Sequence, residues 1–293
     1  METIKMGIPE SQLETWSHQG AVTTAKATHK SIRNALDSYR WSNGIDFEVY
    51  LQGSYKNDTN IRGDMDVDVV VQLNSTFSSN LSRDQKQMFG FTTAKYTWGD
   101  FRKDVLNALV DYYGWGSISE GNKAIKVQTP YLPADVVVCI QCRKYPSNPI
   151  NEFDFVEGMT FWTRNENRQV INYPKLHYKN GVNRHQNTNS WYKKSVRMFK
   201  NIRNYLKENH YIPDNLVPSY FLECLLYNVP NRNYGGTCRN TFCNVVNWLA
   251  KANLDGFICQ NEQLSLFGNT PEQWSIDSAT EFIRELIKLW NNW

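Results

Sequence analysis

GSYKNDTNIRGDMDVDVVV, residues 53–71, decides how this chain is read. Three acids, Asp64, Asp66 and Asp68, lead into a run of valines. Strand residues alternate faces. In MDVDVVVQL (65–73) this sets Met65, Val67, Val69, Val71 and Leu73 on one side and Asp66 with Asp68 on the other. Two carboxylates that close repel unless a cation sits between them. Hard divalent cations with oxygen ligands meet that need, and Mg²⁺ keeps open positions for substrate phosphates. Asp64 precedes the pair and reads as a loop residue supporting them from behind.

Asp135 opens a second valine-rich strand in PYLPADVVVCI (130–140), and Pro133 just before it favours a strand start. Asp66, Asp68 and Asp135 at adjacent strand mouths have the donor set for two Mg²⁺ ions, with Mn²⁺ as a substitute, and so for in-line phosphoryl transfer. One ion would lower the pKa of an attacking hydroxyl. The other would grip a triphosphate and its leaving pyrophosphate. Gly53-Ser54 supplies the complement, because a Gly-Ser turn at a strand end offers backbone N–H groups and a hydroxyl to phosphate. The dipeptide alone says little. Followed by Asp-x-Asp with eleven residues between Ser54 and Asp66, it is specific. Acids before a strand also serve as edge protection. A calcium loop uses them too, but the glycine and glutamate of an EF-hand are missing.

Around the motif the chain divides. Capping-box spacing at Ser11 and Glu14, with Leu13, Trp16, Ala25, Ile32, Ala35, Leu36 and Tyr39, predicts one long helix to about Arg40, weakened at Gly20. Ile45, Phe47, Val49 and Leu51 alternate as a half-buried strand. Residues 74–90 read as a polar loop with some helix, 97–113 as a helix, AIKVQT and ADVVVCI as strands, and 152–190 as irregular. From Trp191 helices take over. WYKKSVRMFKNIRNYLKEN turns Tyr192, Val196, Phe199, Ile202 and Leu206 inward. PSYFLECLLYNV is entered through Pro218. CNVVNWLAKAN follows, then a last helix capped by Ser278 and Glu281. The expected fold is α+β: a catalytic core with a mixed sheet over 1–150, then a lid segment and a helical domain over 151–293, the active site lying in the cleft between.

The chain has 293 residues, 41% hydrophobic and 14% aromatic, enough for a sizeable core. A net charge of +3 gives no global basic or acidic character, so any nucleic-acid contact must be a local patch. No apolar run is long enough for a bilayer. METIKMGIPESQLETW lacks the apolar stretch of a secretory signal. A cytoplasmic protein without a membrane partner is expected. The cysteines (139, 142, 224, 238, 243, 259) do not read as a disulfide framework. None sits in a Cys/His cluster with zinc spacing.

QGSYKNDTNIRGDMDVDVVV, with the later strand aspartate, resembles the polymerase-beta-like nucleotidyltransferases and, more narrowly, the bacterial cGAS/DncV-like nucleotidyltransferases (CD-NTases). INYPKLHYKNG resembles the segment bridging the two lobes of those enzymes. VRMFKNIRNYL resembles the helix whose lysine reaches the triphosphate. VPSYFLECLL resembles the next helix, whose Ser-Tyr touches phosphate and stacks a base. The resemblance thus assigns nucleotide contacts to Gln52, Lys200, Ser219 and Tyr220 beside Gly53 and Ser54. As plain structure, Lys200 would be a solvated helix lysine, Ser219 an N-cap and Tyr220 core.

The resemblance further implies synthesis of a cyclic di- or trinucleotide from NTPs with release of pyrophosphate, in bacterial anti-phage (CBASS) signalling, the product acting on a separate effector protein. Base choice would fall to FWTRNENRQV (161–170), where Asn165 or Asn167 would present an amide to a base edge. In some relatives an asparagine hereabouts goes with uracil. The same residues would serve an enzyme adding NMP to RNA, protein or a small molecule. An inactive binding module on this fold is the other alternative, and the intact acidic triad argues against it. Related animal enzymes bind double-stranded nucleic acid near the first helix. Here Lys26, Lys30, Arg33 and Arg40 form a basic stripe, either a grip for an RNA or DNA activator or an ordinary solvated face, the preferred reading. Lys103, Lys123 and Lys126 are phosphate-binding candidates that the sequence leaves unplaced.

Overall fold

The computed structural model describes residues 7–42, 44–63 and 66–293. Asp64 and Met65, read above as a supporting acid and a strand start, lie outside the described residues. In chain order the elements are α1 (Glu10–Ser17), α2 (Thr23–Asp37), β1 (Phe47–Leu51), α3 (Gly53–Asn57), β2 (Val67–Ser79), α4 (Arg83–Met88), α5 (Trp98–Tyr113), β3 (Ile118–Glu120), β4 (Ile125–Val127), β5 (Ala134–Lys144), β6 (Val156–Trp162), β7 (Gln169–Asn172), α6 (Pro174–Asn187), α7 (Trp191–Glu208), α8 (Ser219–Tyr227), α9 (Cys238–Leu249) and α10 (Ile276–Asn292). Contacts divide them into a sheet unit, residues 22–55 and 66–175, and a helical unit, residues 7–21, 56–63 and 176–293. The sequence reading had cut the chain once, at 150.

The sheet unit holds a mixed seven-stranded sheet with the path β1-β2-β5-β4-β3. β2 and β5 run parallel, and the other pairs are antiparallel. β4 takes the first residues of one β5 edge and β6 the last. Val67, Val69, Val71 and Leu73 of β2 and Ala134, Val136, Val138 and Ile140 of β5 face one core with Ile32, Leu36, Phe101, Val105 and Leu109 from α2 and α5. Val70, Val137 and Cys139 face the opposite side, against Met159, Phe161 and Val170. Both faces of the central strands are therefore covered, which is why they read as continuous apolar runs.

The helical unit is built around α7. Its expected inward residues, Tyr192, Val196, Phe199, Ile202 and Leu206, are all buried, in one core with Leu13, Leu222, Phe242, Phe282 and Leu286.

Four local expectations are corrected. The long N-terminal helix is two helices, and Ser11–Glu14 does not cap it, since α1 starts at Glu10 behind Pro9. The break falls at residues 18–22. Gly20 packs onto the 60–61 backbone so closely that a Cβ would lie 2.6 Å from Ile61 O, and its N–H donates to Asn60 O. Residues 152–190 are mostly ordered as β6, β7 and α6, with Pro174 as the first residue of that helix rather than a breaker. β2 runs on to Ser79 through a register irregularity between Leu73 and Phe77. The last helix is capped by Ser275, whose hydroxyl accepts from Ser278 N–H, not by Ser278. All six cysteines are free thiols.

Candidate active site

The register of β2 on β5 makes Asp68 and Asp135 Cα partners. Neighbours in a ladder point to the same face. Each acid is flanked in its strand by residues buried in the core: Val67 and Val69 beside Asp68, Ala134 and Val136 beside Asp135. The two carboxylates are thus carried by a frame that cannot easily shift. Asp66 lies ahead of β2 and is exposed. Strict alternation does not govern it, because the strand starts at Val67, whose N–H donates to Pro133 O at 2.9 Å. The ladder therefore pairs Asp68 with Asp135, and Asp66 acts on Asp135 through its charge.

Burial pushes the Asp135 carboxyl up from its usual range, Lys126 pulls it down and Asp66 pushes it up again. Lys126 is the Cα partner of Asp135 across β4 and β5. This places one of the three lysines that the sequence left unplaced.

Gly53 stands at φ 65°, in the left-handed region that favours glycine. A Cβ there would lie 2.0 Å from Asp68 Oδ2. Glycine is therefore required for conformation and for space, and the Gly-Ser turn packs directly on an acid of the motif. Gln52 N–H donates to Asp68 O at 3.0 Å. Ser54 follows in the first turn of α3, where backbone N–H groups lack partners within the helix.

The donor set fits Mg²⁺, since all three side chains offer hard carboxylate oxygens. Among the described residues no three His, Cys, Asp or Glu side chains already converge as a metal-binding group. Asp68 and Asp135 are fixed by the ladder. Asp66, exposed and ahead of the strand, is outside that ladder.

The same sheet face carries a polar network that sequence reasoning missed. Lys175 Nζ lies 2.5 Å from Glu48 and 2.6 Å from Glu157. Gln72 Nε2 donates to both of these acids, and Tyr50 O–H donates to Gln72 Oε1 at 2.8 Å. Burial pushes the Glu157 carboxyl up, but hydrogen bonds from Lys175 and Gln72 and the Lys175 charge together outweigh it and hold the carboxyl below its usual range.

The helical unit groups the other nucleotide-contact candidates. Lys200 is 1% exposed. Its ammonium is 2.7 Å from Glu223 Oε1 and donates to Thr59 O at 3.2 Å. Glu223 also accepts from Thr59 O–H at 2.6 Å and lies 3.2 Å from His177 Nε2. Burial pushes the Glu223 carboxyl up, but Lys200 and His177 more than offset it and hold it well below the carboxylate range. Lys200 is thus not a solvated lysine, and a phosphate would have to compete with these partners.

Ser219 is the first residue of α8, after the N-cap Pro218, and its hydroxyl accepts from Arg203 Nη1 at 2.8 Å. The Tyr220 ring stacks on His177 at 5.3 Å, and Asn261 Nδ2 donates to its hydroxyl at 3.1 Å. Glu223 and Thr59 were missed. A glutamate within LECLL is the signal, because an acid on an apolar helix face implies a buried partner.

Asn165 and Asn167 sit exposed at the β6–β7 tip, Asn167 at φ 49°. Lys26, Lys30, Arg33 and Arg40 are exposed. Arg33 faces Asp37 at 3.9 Å, and Arg40 lies past the end of α2. No helix is long and apolar enough to cross a membrane among the described residues.

Paired strand acids packed on a Gly-Ser turn define a nucleotidyltransferase type of site. Comparison with known proteins agrees. Residues 179–291 match the family model of the cGAS/DncV-like nucleotidyltransferase C-terminal helical domain. The chain is 61% identical to a cyclic UMP-AMP synthase of Rhodothermus marinus, over 98% of this chain and 99% of the relative. It is 41% identical to the cyclic nucleotide synthase CdnE01 of Staphylococcus haemolyticus, over 98% of this chain and 100% of that one. A solved structure of Rhodothermus marinus CdnE c-UMP-AMP synthase with Apcpp and Upnpp superposes with a TM-score of 0.95, covering 98% of this chain and 97% of that one. The chain belongs to the cGAS/DncV-like nucleotidyltransferases.

Proposed function

We propose that this chain condenses nucleoside triphosphates into a cyclic dinucleotide, releasing pyrophosphate at each new bond. The carrying observation is the register that sets Asp68 beside Asp135, with Gly53 packed on the Asp68 carboxylate. Asp66, Asp68 and Asp135 would hold two Mg²⁺ ions, or Mn²⁺ in their place. When bound, such ions acidify an attacking hydroxyl and neutralise the departing pyrophosphate.

The chain's own groups do the rest. Gly53 and Ser54 offer backbone N–H groups and a hydroxyl to the triphosphate, next to Gln52. Asp135, whose carboxyl is pushed upward, is suited to receive the proton of the acceptor hydroxyl. Tyr220, stacked on His177, is the candidate for stacking on a base. In the helical unit Ser219 remains a candidate phosphate contact, and Lys200, paired with Glu223, would have to exchange that partner to become one. The Rhodothermus marinus relative is a cyclic UMP-AMP synthase, and at 61% identity UTP with ATP is the substrate pair we assign. The product would act on a separate effector in anti-phage signalling.

Purified enzyme given Mg²⁺ and the four NTPs tests the proposal. A phosphatase-resistant product of one UMP and one AMP is expected by mass spectrometry. Products that form only when RNA, protein or a small acceptor is added would overturn cyclisation. The basic stripe at Lys26, Lys30, Arg33 and Arg40 is read as a solvated face, so nuclease-treated enzyme keeps full activity. A nucleic-acid requirement that fades steeply with salt would make it an activator site.

A further inference from the structure

The tip of the β6–β7 hairpin spans residues 163–168. Within the tip, Thr163 N–H donates to Arg168 O, Arg168 N–H donates to Thr163 Oγ1, and the Thr163 side chain also hydrogen-bonds the Glu166 carboxylate. An exposed hairpin tip is mobile unless it is tied to a neighbouring element. Here three successive tip residues bond to one residue elsewhere, Asn122, in the turn between β3 and β4. Arg164 N–H donates to Asn122 O at 2.9 Å. Asn165 N–H donates to Asn122 Oδ1 at 2.9 Å. Asn122 Nδ2 donates to Glu166 Oε2 at 3.2 Å.

Neighbouring contacts reinforce the clasp. Glu120 binds Arg102 at 2.7 Å and Arg164 at 3.7 Å. The Glu166 carboxyl is held below its usual range, first by Asn122. The turn itself is closed by Gly121 N–H donating to Ala124 O. Four residues after Asn122 comes Lys126, the cross-strand partner of Asp135. The β3–β4 hairpin therefore joins the ladder of a catalytic acid to the tip that carries Asn165 and Asn167.

We propose that Asn122 is a positioning residue for base selection, fixing the β6–β7 tip so that Asn165 or Asn167 meets the edge of the incoming base. This rests on the reading that the tip chooses the base. A single hydrogen-bond donor or acceptor displaced from a base edge changes discrimination by about five- to tenfold. Loss of the clasp should act on one nucleotide and not the other.

The test uses full-length enzyme with Mg²⁺ and an equimolar mixture of ATP, GTP, CTP and UTP, read as product base composition by mass spectrometry, with KM and kcat for each nucleotide. Asn122→Ala is expected to change the pyrimidine-to-purine ratio about five- to tenfold, through the KM of one nucleotide, with kcat within about twofold. Asn122→Asp keeps the acceptor for Asn165 N–H but sets two carboxylates face to face, and it should shift the ratio likewise. Adding Glu166→Gln reverses the donor and acceptor across that pair and should restore selectivity, a coupling that a merely structural role would not produce. An unchanged ratio in Asn122→Ala, with a changed ratio in Asn165→Ala or Asn167→Ala, would overturn the clasp and keep base selection at the tip. Unchanged ratios in all of them would overturn both. A uniform fall in kcat without a change of ratio, or no rescue by Glu166→Gln, would reduce Asn122 to a structural turn residue and overturn the proposal.

Discussion

Glu223 is a fully buried carboxylate and Asp135 a half-buried one, and the protein treats them oppositely. Around Glu223 it supplies an ammonium, an imidazole and a hydroxyl, and the carboxyl falls well below its ordinary range. Around Asp135, among the described residues, Lys126 is the cation acting against burial, and Asp66 adds like charge, so the carboxyl rises. The burial penalty is the same in kind, and only the compensation differs. An acid fully compensated from within holds a fold together. An acid left under-compensated on a rigid strand holds free energy in reserve for a cation that binds there.

The largest test of this contrast is Asp68→Asn or Asp135→Asn. Each should lower cyclic product formation by about 10⁴-fold or more. Neither should lower the Tm by more than about 2 °C. For Asp135→Asn the sign is the reverse: a carboxyl raised in the fold is a net penalty when ionised at pH 7, so its removal should stabilise slightly. Glu223→Ala should do the opposite, costing about 3–5 kcal/mol of stability because Lys200 is left buried without its partner. Equilibrium unfolding in urea measures this, and pairing Lys200→Met with Glu223→Leu should recover much of it. The Glu223 contribution is present above the unfolded carboxyl pKa near 4.5 and should fade as the pH falls below it.

Gly53→Ala probes the close approach between turn and acid. Strain at φ 65° and the collision with Asp68 should cost about 1–2 kcal/mol of stability and, by displacing that carboxylate, about a hundredfold in rate. The smallest effect belongs to Lys126→Met. It removes the downward pull of Lys126 on Asp135, so the acid limb of kcat/KM should move to higher pH by less than about one unit. A limb that stays put or moves to lower pH would mean that another group sets it.

What could be read from the sequence was what is encoded locally. Gly53-Ser54 and the acids of DMDVDVVV are one short stretch with a period of two, and Asp135 announces itself by opening another valine run. α7 was legible for the same reason, its apolar residues recurring at helical spacing. Residues fixed by distant partners were not. The break between α1 and α2 depends on Gly20 meeting the Ile61 carbonyl, which no window around Gly20 contains. β6 hid because Gly158, Met159, Thr160 and Phe161 are all buried in succession, so alternation disappears. Neither the triphosphate contact that the resemblance assigns to Lys200 nor a solvated lysine anticipates its burial, though it lies four residues from Val196 and next to Phe199 on the buried stripe. Its partners come from positions 59 and 223.

The partition of the chain has a genetic consequence. The polypeptide passes from one unit to the other after residue 21, after residue 55, between residues 63 and 66, and after residue 175. Neither unit is therefore a contiguous reading frame, and no single truncation liberates one intact. A family built this way cannot trade its catalytic sheet by simple end-to-end fusion.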